Sequence, residues 1–525
     1  MYLFATLFLL LTTVFLYLYW FFKKSFEFFD QCGIPWDKDH SFFGSMKDVL
    51  LKRKTFLDLY LERYERLKSY KFVGIYNLHQ PQIMINDPDL VKTILVKDFA
   101  HFHDRGFTIH KEIEPLANNL ANLPGEEWKN LRIKLTSTFT SGKMKMMFPL
   151  LKKCSYDMNP VLTKYFSDDE TFDVKDFCAR YTTDVIGTCA FGIDTHSLQN
   201  PESEFRKMGR TVFQTRWKPL VRIFFPSLSA KYIKLFGLYL FPQEINDYFI
   251  NTVKDMVKYR EENNITRGDF LDLLIAMKNH KELEKLKDQH EDADLEKFMS
   301  QIGEKCVKND VEMTPELIAA QCFLFFIGGF EGASNALMFL LFELTQHPDI
   351  QNKLREEILS TLESNNGEMT YEMMRKLPYL EMVIAETLRK YPLGPILLRL
   401  CTENYKIPDS EVVIKKGTSI VIPLMGFNAD SKYYERPDDF YPEHFTKEAI
   451  SKRPHYAYLP FGEGPRVCIA ERFARMQIIV GAVHLLKDFA FELSPKTTLP
   501  LQVTPSAAGL AVKGGVWMKC RPWQS

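Results

Sequence analysis

Ten residues near the end of the chain, Phe461-Gly462-Glu463-Gly464-Pro465-Arg466-Val467-Cys468-Ile469-Ala470, have the types and spacing to do chemistry. A loop rich in Gly and Pro delivers one cysteine to the start of a helical stretch from about Ala470 to Asp488. Amides at a helix start favour negative charge, so they favour a thiolate and would tune its electron density if it bound iron. Arg466, two residues earlier, could pair with an anionic group. Taken alone, the loop also fits a buried structural cysteine.

Three further patterns accompany it. Glu386-Thr387-Leu388-Arg389 places an acid and a base three apart, on one helical face. Trp128-Lys129-Asn130-Leu131-Arg132 places an indole donor and a guanidinium four apart, again on one face. Either could be a surface pair of little energetic weight. The third, Gly328-Gly329-Phe330-Glu331-Gly332, puts three glycines and an acid into apolar helical text. Each glycine costs a helix about 1 kcal/mol relative to Ala, and a buried acid needs a partner. That marks a functional site or a packing notch with a satisfied Glu.

Elements must position these residues. Thr314 and Pro315 are a cap and a first-turn residue. They predict a helix from Pro315 to Gln346, about 48 Å long, stopped by His347-Pro348 and apolar almost all round, hence central. Helical text covers Val49 to Leu67 and most of Pro88 to Gln321; strand-like runs stand at Phe72–Tyr76, Gln82–Ile85, Val412–Ile422 and Gly514–Lys519. Lys278 to Asp310 is rich in charge and reads as a solvated connection. The fold class is therefore mainly α with small β-sheets.

Composition narrows the function. Lys+Arg and Asp+Glu both number 67, which argues against a nucleic-acid partner. The nine cysteines are scattered and show no zinc-type spacing, as suits reduced thiols on the cytosolic side. Met1 to Phe22 carries no charge and as a helix would span about 33 Å. Tyr17, Tyr19 and Trp20 follow near its end, then Lys23 and Lys24. That order predicts a retained single-pass anchor with a cytosolic body; a cleaved signal peptide would want a basic start and a cleavage site of small residues. The expected organisation is an anchor at 1–22, a hinge at 23–40 and a catalytic domain at 41–525.

Together and in this order, the motifs resemble the cytochrome P-450 superfamily over nearly the whole chain. Phe461, Gly464, Arg466 and Cys468 match its haem loop, with Ala470 where a Gly is usual. Phe139-Thr140-Ser141-Gly142-Lys143 and Thr182-Thr183-Asp184-Val185-Ile186-Gly187 look like the insect microsomal family-6 branch. The resemblance implies haem b with Cys468 as axial iron ligand. It also implies Trp128, Arg132, Arg399 and Arg466 as contacts of the haem propionates and loop, with Phe461 beside them. Glu331 becomes the candidate proton relay. Substrate contacts by family position are Phe107, Ile109, Ile113 and Leu116; Phe323, Phe326 and Phe330; Ile396 and Leu397; and Ala508 to Leu510. For each of these, plain core packing is an equal reading.

The implied activity is insertion of one oxygen atom from dioxygen into an apolar xenobiotic or endogenous lipid. Electrons would come from an NADPH-dependent reductase, with cytochrome b5 as a second donor, at the endoplasmic reticulum membrane. Lys129, Lys134, Lys143, Lys145 and Arg475 are candidate reductase contacts. Two departures from the family pattern matter. Pro442-Glu443-His444-Phe445 has His where Arg is usual, so the structural network would be Glu386, Arg389 and His444. Gly332 stands where an alcohol is usual, beside the retained Glu331. The lost alcohol keeps open a reductase-independent isomerase or dehydratase, and a non-catalytic haem-binding protein stands as a third reading.

Overall fold

The computed structural model describes residues 2–38, 47–51, 53–214, 221–222, 228–279, 311–506 and 509–523. The solvated connection expected over Lys278 to Asp310 lies almost wholly outside them, as does Ala508. The described chain is mainly helical with small sheets, and it falls into two compact units.

The first unit comprises residues 1–106, 394–433 and 454–459. Its helices are α1 (Tyr2–Ser25), α2 (Phe28–Cys32) and α3 (Phe56–Leu67). A reciprocal cap starts α3: Asp58 N donates to Thr55 Oγ1 at 3.0 Å, and Thr55 N donates to Asp58 Oδ2 at 2.8 Å. Strands β1 (Phe72–Asn77) and β2 (Gln80–Ile85) form an antiparallel hairpin. Strand β4 (Ser419–Ile422) joins β2 in parallel and β3 (Leu397–Leu400) joins β4 antiparallel, giving the order β1-β2-β4-β3. Tyr60, Leu67, Val73, Ile75, Met84 and Val421 form a core between α3 and this sheet.

The second unit comprises residues 107–393, 434–453 and 460–525. Its helices include α4 (Gly125–Thr136), α5 (Val174–Ile186), α6 (Gln243–Asn263), α7 (Pro315–Gln346), α8 (Pro378–Lys390) and α9 (Glu471–Asp488). The boundaries of α7 are those its cap residues predict, with Thr314 Oγ1 accepting from Leu317 N at 3.2 Å. Around it, Phe249 of α6 meets Phe323 and Phe326 at ring separations of 4.9 and 5.1 Å. Thr182 of α5 donates to Phe330 O at 3.0 Å. Strands β5 (Phe489–Leu493) and β6 (Trp517–Pro522) pair antiparallel, and Phe172–Asp173 pairs with the other edge of β6.

Two described helices are long and apolar enough to cross a membrane. Of the apolar window in α7, 67% is buried, so it is a core helix; of that in α1, 0% is buried. Exposed Phe, Leu and Tyr side chains all along α1 have no reason to face water.

Candidate active site around Cys468

The loop before α9 is shaped by two glycines. Gly462 and Gly464 have φ of 77° and 74°, a conformation other residues reach only with strain. The loop closes through Cys468 N donating to Phe461 O and Val467 N to Gly464 O, both at 2.9 Å. Cys468 is thereby delivered three residues ahead of α9, and its side chain is exposed. Among the described cysteines the others are buried, apart from the half-buried Cys32. Among the described thiols, Cys468 is therefore the one fully accessible candidate.

Helix α4 lies against this loop. Arg132 Nη1 donates to Val467 O at 2.9 Å, next to Cys468. Arg466 Nη2 donates to Leu123 O at 2.8 Å, and its guanidinium sits 4.0 Å over the Trp128 ring. Trp128, Arg132 and Arg466 are all buried. The structure thus brings together two pairs, Trp128 with Arg132 and Arg466 with Cys468, that lie more than three hundred positions apart in the sequence.

A second cluster joins α8 to the segment 435–444. Arg389 Nε and Nη2 donate to Glu386 Oε2 and Oε1 at 2.8 and 2.7 Å. Arg389 also donates to Pro437 O at 2.8 Å and Asp439 O at 3.0 Å, while Tyr441 N donates to Glu386 Oε1 at 2.9 Å. His444 completes it: Nδ1 lies 3.2 and 3.3 Å from the two Glu386 oxygens, and Nε2 faces Glu435 O. Burial alone would raise the Glu386 carboxyl, but Arg389, His444 and the Tyr441 amide outweigh it and hold the group below the usual carboxylate range. This is a buried brace, not a surface ion pair.

The middle of α7 carries the third cluster. Glu331 Oε1 lies 3.0 Å from Lys175 Nζ and accepts from Asn335 Nδ2 at 3.2 Å. Lys175 also donates to Ser334 Oγ at 2.8 Å, and Ser334 donates back to Phe330 O at 2.7 Å. Burial pulls the Lys175 ammonium down and Glu331 pushes it back up; it stays below the ordinary lysine range. Sequence reasoning missed Lys175. The available signal was a cation in the first turn of α5, where the helix dipole disfavours one. At Gly332 an added Cβ would meet only Leu393 Cδ1, at 3.5 Å, whereas at Gly329 it would meet Ile186 Cδ1 at 2.3 Å. Gly329 is thus the packing notch of the alternative reading, and Gly332 is not.

The expected substrate contacts fall in both units. Phe326 is buried among Phe191, Phe205, Phe249 and Phe330, which is core packing. Phe330 stacks on Phe213 with ring centres 5.3 Å apart. Phe107 is exposed, and Leu116 is fully buried. Ile396 and Leu397 lie in the first unit, where Ile396 packs against the sheet core. Three of the five basic candidates for partner docking are locally compensated: Lys129 pairs with Glu126 at 2.8 Å, Arg475 with Glu381 at 3.0 Å, and Lys145 with Glu372.

An iron porphyrin needs a soft axial donor and cations for two carboxylates. The accessible thiol of Cys468, with Arg132, Arg466 and the Trp128 N–H around its loop, has that chemistry. In the first unit, Arg399 is a buried guanidinium whose Nε has no hydrogen-bond partner; among the described residues it makes no ion pair. Burial and nearby Arg105 push it down to about 9. Such a group is suited to receive a carboxylate.

Comparison with known proteins gives a consistent result. The cytochrome P450 family model matches residues 35–516. The chain is 38% identical over 524 residues to probable cytochrome P450 6a20 of Drosophila melanogaster, covering 98% of this chain and 99% of the relative. It is 37% identical over 513 residues to cytochrome P450 6a2 of the same insect, covering 96% of each. It is 36% identical over 510 residues to cytochrome P450 6k1 of Blattella germanica, covering 97% of this chain and 95% of the relative.

Proposed function

Since this chain belongs to the cytochrome P450 family and its relatives are insect family-6 members, it is a haem-thiolate monooxygenase, and we propose that Cys468 is its iron ligand. The observation that carries this assignment is the exposed thiol on a glycine-shaped loop beside Trp128, Arg132 and Arg466. The family match runs continuously through both units, which supports one catalytic domain over 41–525 behind an anchor at 1–22.

When bound, haem b supplies reductive activation of dioxygen and transfer of one oxygen atom to substrate. The residues of this chain do the rest. Cys468 provides a negatively charged sulfur, which α9 favours by its N-terminal amides. Trp128, Arg132 and Arg466 would hold the carboxylates of the group through N–H donors, and Arg399 is a further candidate by family resemblance. Glu386, Arg389 and His444 hold the segment 435–441 by its backbone and so brace that part of the second unit. Glu331 carries a proton, and Lys175 holds its carboxylate in place. Phe330 and its aromatic neighbours exclude water from that part of α7.

The substrate class we assign is an apolar small molecule, a xenobiotic or an endogenous lipid. The electron donor is an NADPH-dependent membrane reductase, assisted by cytochrome b5, and the location is the endoplasmic reticulum membrane with the catalytic domain cytosolic. The supports are the family, the bare apolar surface of α1 and the lysines that follow it. The test is a reconstitution in vesicles with reductase, NADPH and a panel of apolar compounds. Oxygenated product that requires both NADPH and dioxygen is expected. Turnover of hydroperoxides with no need of NADPH would replace this reading with an isomerase or dehydratase.

A further inference from the structure

The brace on α8 contains one residue whose charge is decided by its neighbours. His444 is buried, as are Glu386 and Arg389. Both nitrogens of its ring face acceptors. Nδ1 lies 3.3 and 3.2 Å from Glu386 Oε1 and Oε2, and Nε2 lies within hydrogen-bond reach of Glu435 O. A carboxylate and a carbonyl have no proton to give, so each nitrogen must bring its own, and a neutral imidazole carries only one. With that proton on Nδ1, the Nε2 lone pair points at the Glu435 carbonyl. With it on Nε2, the Nδ1 lone pair points at the carboxylate. Either tautomer leaves a buried acceptor without a donor and sets lone pairs against each other.

The groups around the ring admit a positive charge. Burial pushes the Glu386 carboxyl up, but Arg389, His444 and the Tyr441 amide outweigh it, so the group stays ionised. Tyr434 and Tyr441 meet the imidazole in T-shaped contacts at 5.4 and 5.2 Å. Burial pushes the Tyr434 phenol up and keeps it neutral. Two cations lie nearby, and each has its own offset. Arg389 donates to Glu386, Pro437 O and Asp439 O. Arg453 lies 4.3 and 5.0 Å over the Tyr434 and Phe445 rings and donates to His444 O at 3.3 Å. Glu443, next in the chain, pairs with Lys353 at 3.2 Å. His444 also stands where an arginine is usual, in a place suited to a cation. An arginine there would stay charged at any pH of interest, whereas an imidazolium can be discharged.

We infer that His444 is an imidazolium in the folded protein and acts as a proton-operated latch, tying Glu386 to the Glu435 carbonyl and so closing the segment 435–444 on α8. Once the ring gives up a proton it can hold the carboxylate or the carbonyl, not both. The bonds of Arg389 to Pro437 O and Asp439 O, and of Tyr441 N to Glu386, remain, so the segment loosens without detaching. The latch holds in acid and opens as pH rises, the opposite direction to the Glu386 carboxylate. It needs nothing from haem and stands apart from the assignment of Cys468.

The test is hydrogen exchange, read by mass spectrometry, on the full-length, haem-loaded protein. Exchange is followed at about pH 6 and about pH 8.5, either side of the range in which an imidazole changes charge, with rates corrected for the intrinsic effect of pH. Peptides covering 435–445 are compared with peptides covering β5 and β6. Protection of 435–445 should fall by about tenfold or more between the two conditions, the weight of a hydrogen bond to a charged group. That of β5 and β6 should not change. His444→Gln, neutral throughout, should show the low protection in both conditions, and His444→Arg the high protection in both. Wild-type protection that does not change with pH overturns the latch. A fall that persists in His444→Gln places the titration on another group and overturns it as well. If His444→Arg does not fold, the wild type and His444→Gln decide the outcome between them.

Discussion

Replacing Glu386 by Gln isolates the energetic role of the brace. The side chains of Glu386 and Arg389 are 0% and 1% exposed, so the pair is out of water. The carboxylate receives Arg389 Nε, Arg389 Nη2 and Tyr441 N at 2.7 to 2.9 Å, with His444 Nδ1 beyond 3 Å. Glutamine keeps the shape but turns one acceptor into a donor facing another donor, and it strands the Arg389 charge. Removing one partner of a buried pair costs about 3–5 kcal/mol, a large share of the roughly 5–15 kcal/mol that holds a protein folded.

The control is Glu62→Gln, which breaks the exposed pair with Lys54, at 54% and 38% exposure; it should cost under about 1 kcal/mol. Urea unfolding followed by tryptophan fluorescence reads both. The folded Glu386 carboxyl lies below its unfolded value, so its contribution is present above about pH 4.3 and is lost as pH falls through the folded value. The gap between wild type and Glu386→Gln should therefore hold at neutral pH and narrow in acid. Equal costs for Glu386→Gln and Glu62→Gln, or a gap independent of pH, would refute the buried-brace argument.

The glycines of α7 should separate by their surroundings. Gly328→Ala, with open space around the new Cβ, should stabilise by about 1 kcal/mol, while Gly329→Ala, driven into Ile186, should destabilise by about 1–3 kcal/mol; thermal melts read the difference. Restoring an alcohol with Gly332→Thr should raise product formed per NADPH consumed and lower peroxide release, measured in parallel on both forms. Glu331→Gln should slow product formation by about 100-fold or more with substrate binding kept. Lys175→Met should move the same rate in the same direction by less, because Lys175 acts through Glu331.

Much of the site was legible because its chemistry is local in sequence. The Cys468 loop, the Glu386–Arg389 step and the Trp128–Arg132 step each fit within one turn or one helix face, and Thr314 with Pro315 gave the start of α7. What escaped depends on packing between distant segments. Lys175 becomes meaningful only when α5 lies across α7. Phe326 reads equally as a pocket wall or as core until Phe191, Phe205 and Phe249 are found around it. Hydrophobic pattern identifies a face, and the neighbour on that face comes from the fold.

The assignment of Cys468 is tested most directly by the absorption spectrum of the reduced, carbon-monoxide-treated protein. The wild type should show the red-shifted Soret band of a thiolate-ligated haem. Cys468→Ala should lose that band, whether or not it retains haem through Trp128, Arg132 and Arg466. A red-shifted band that survives in Cys468→Ala would contradict the assignment.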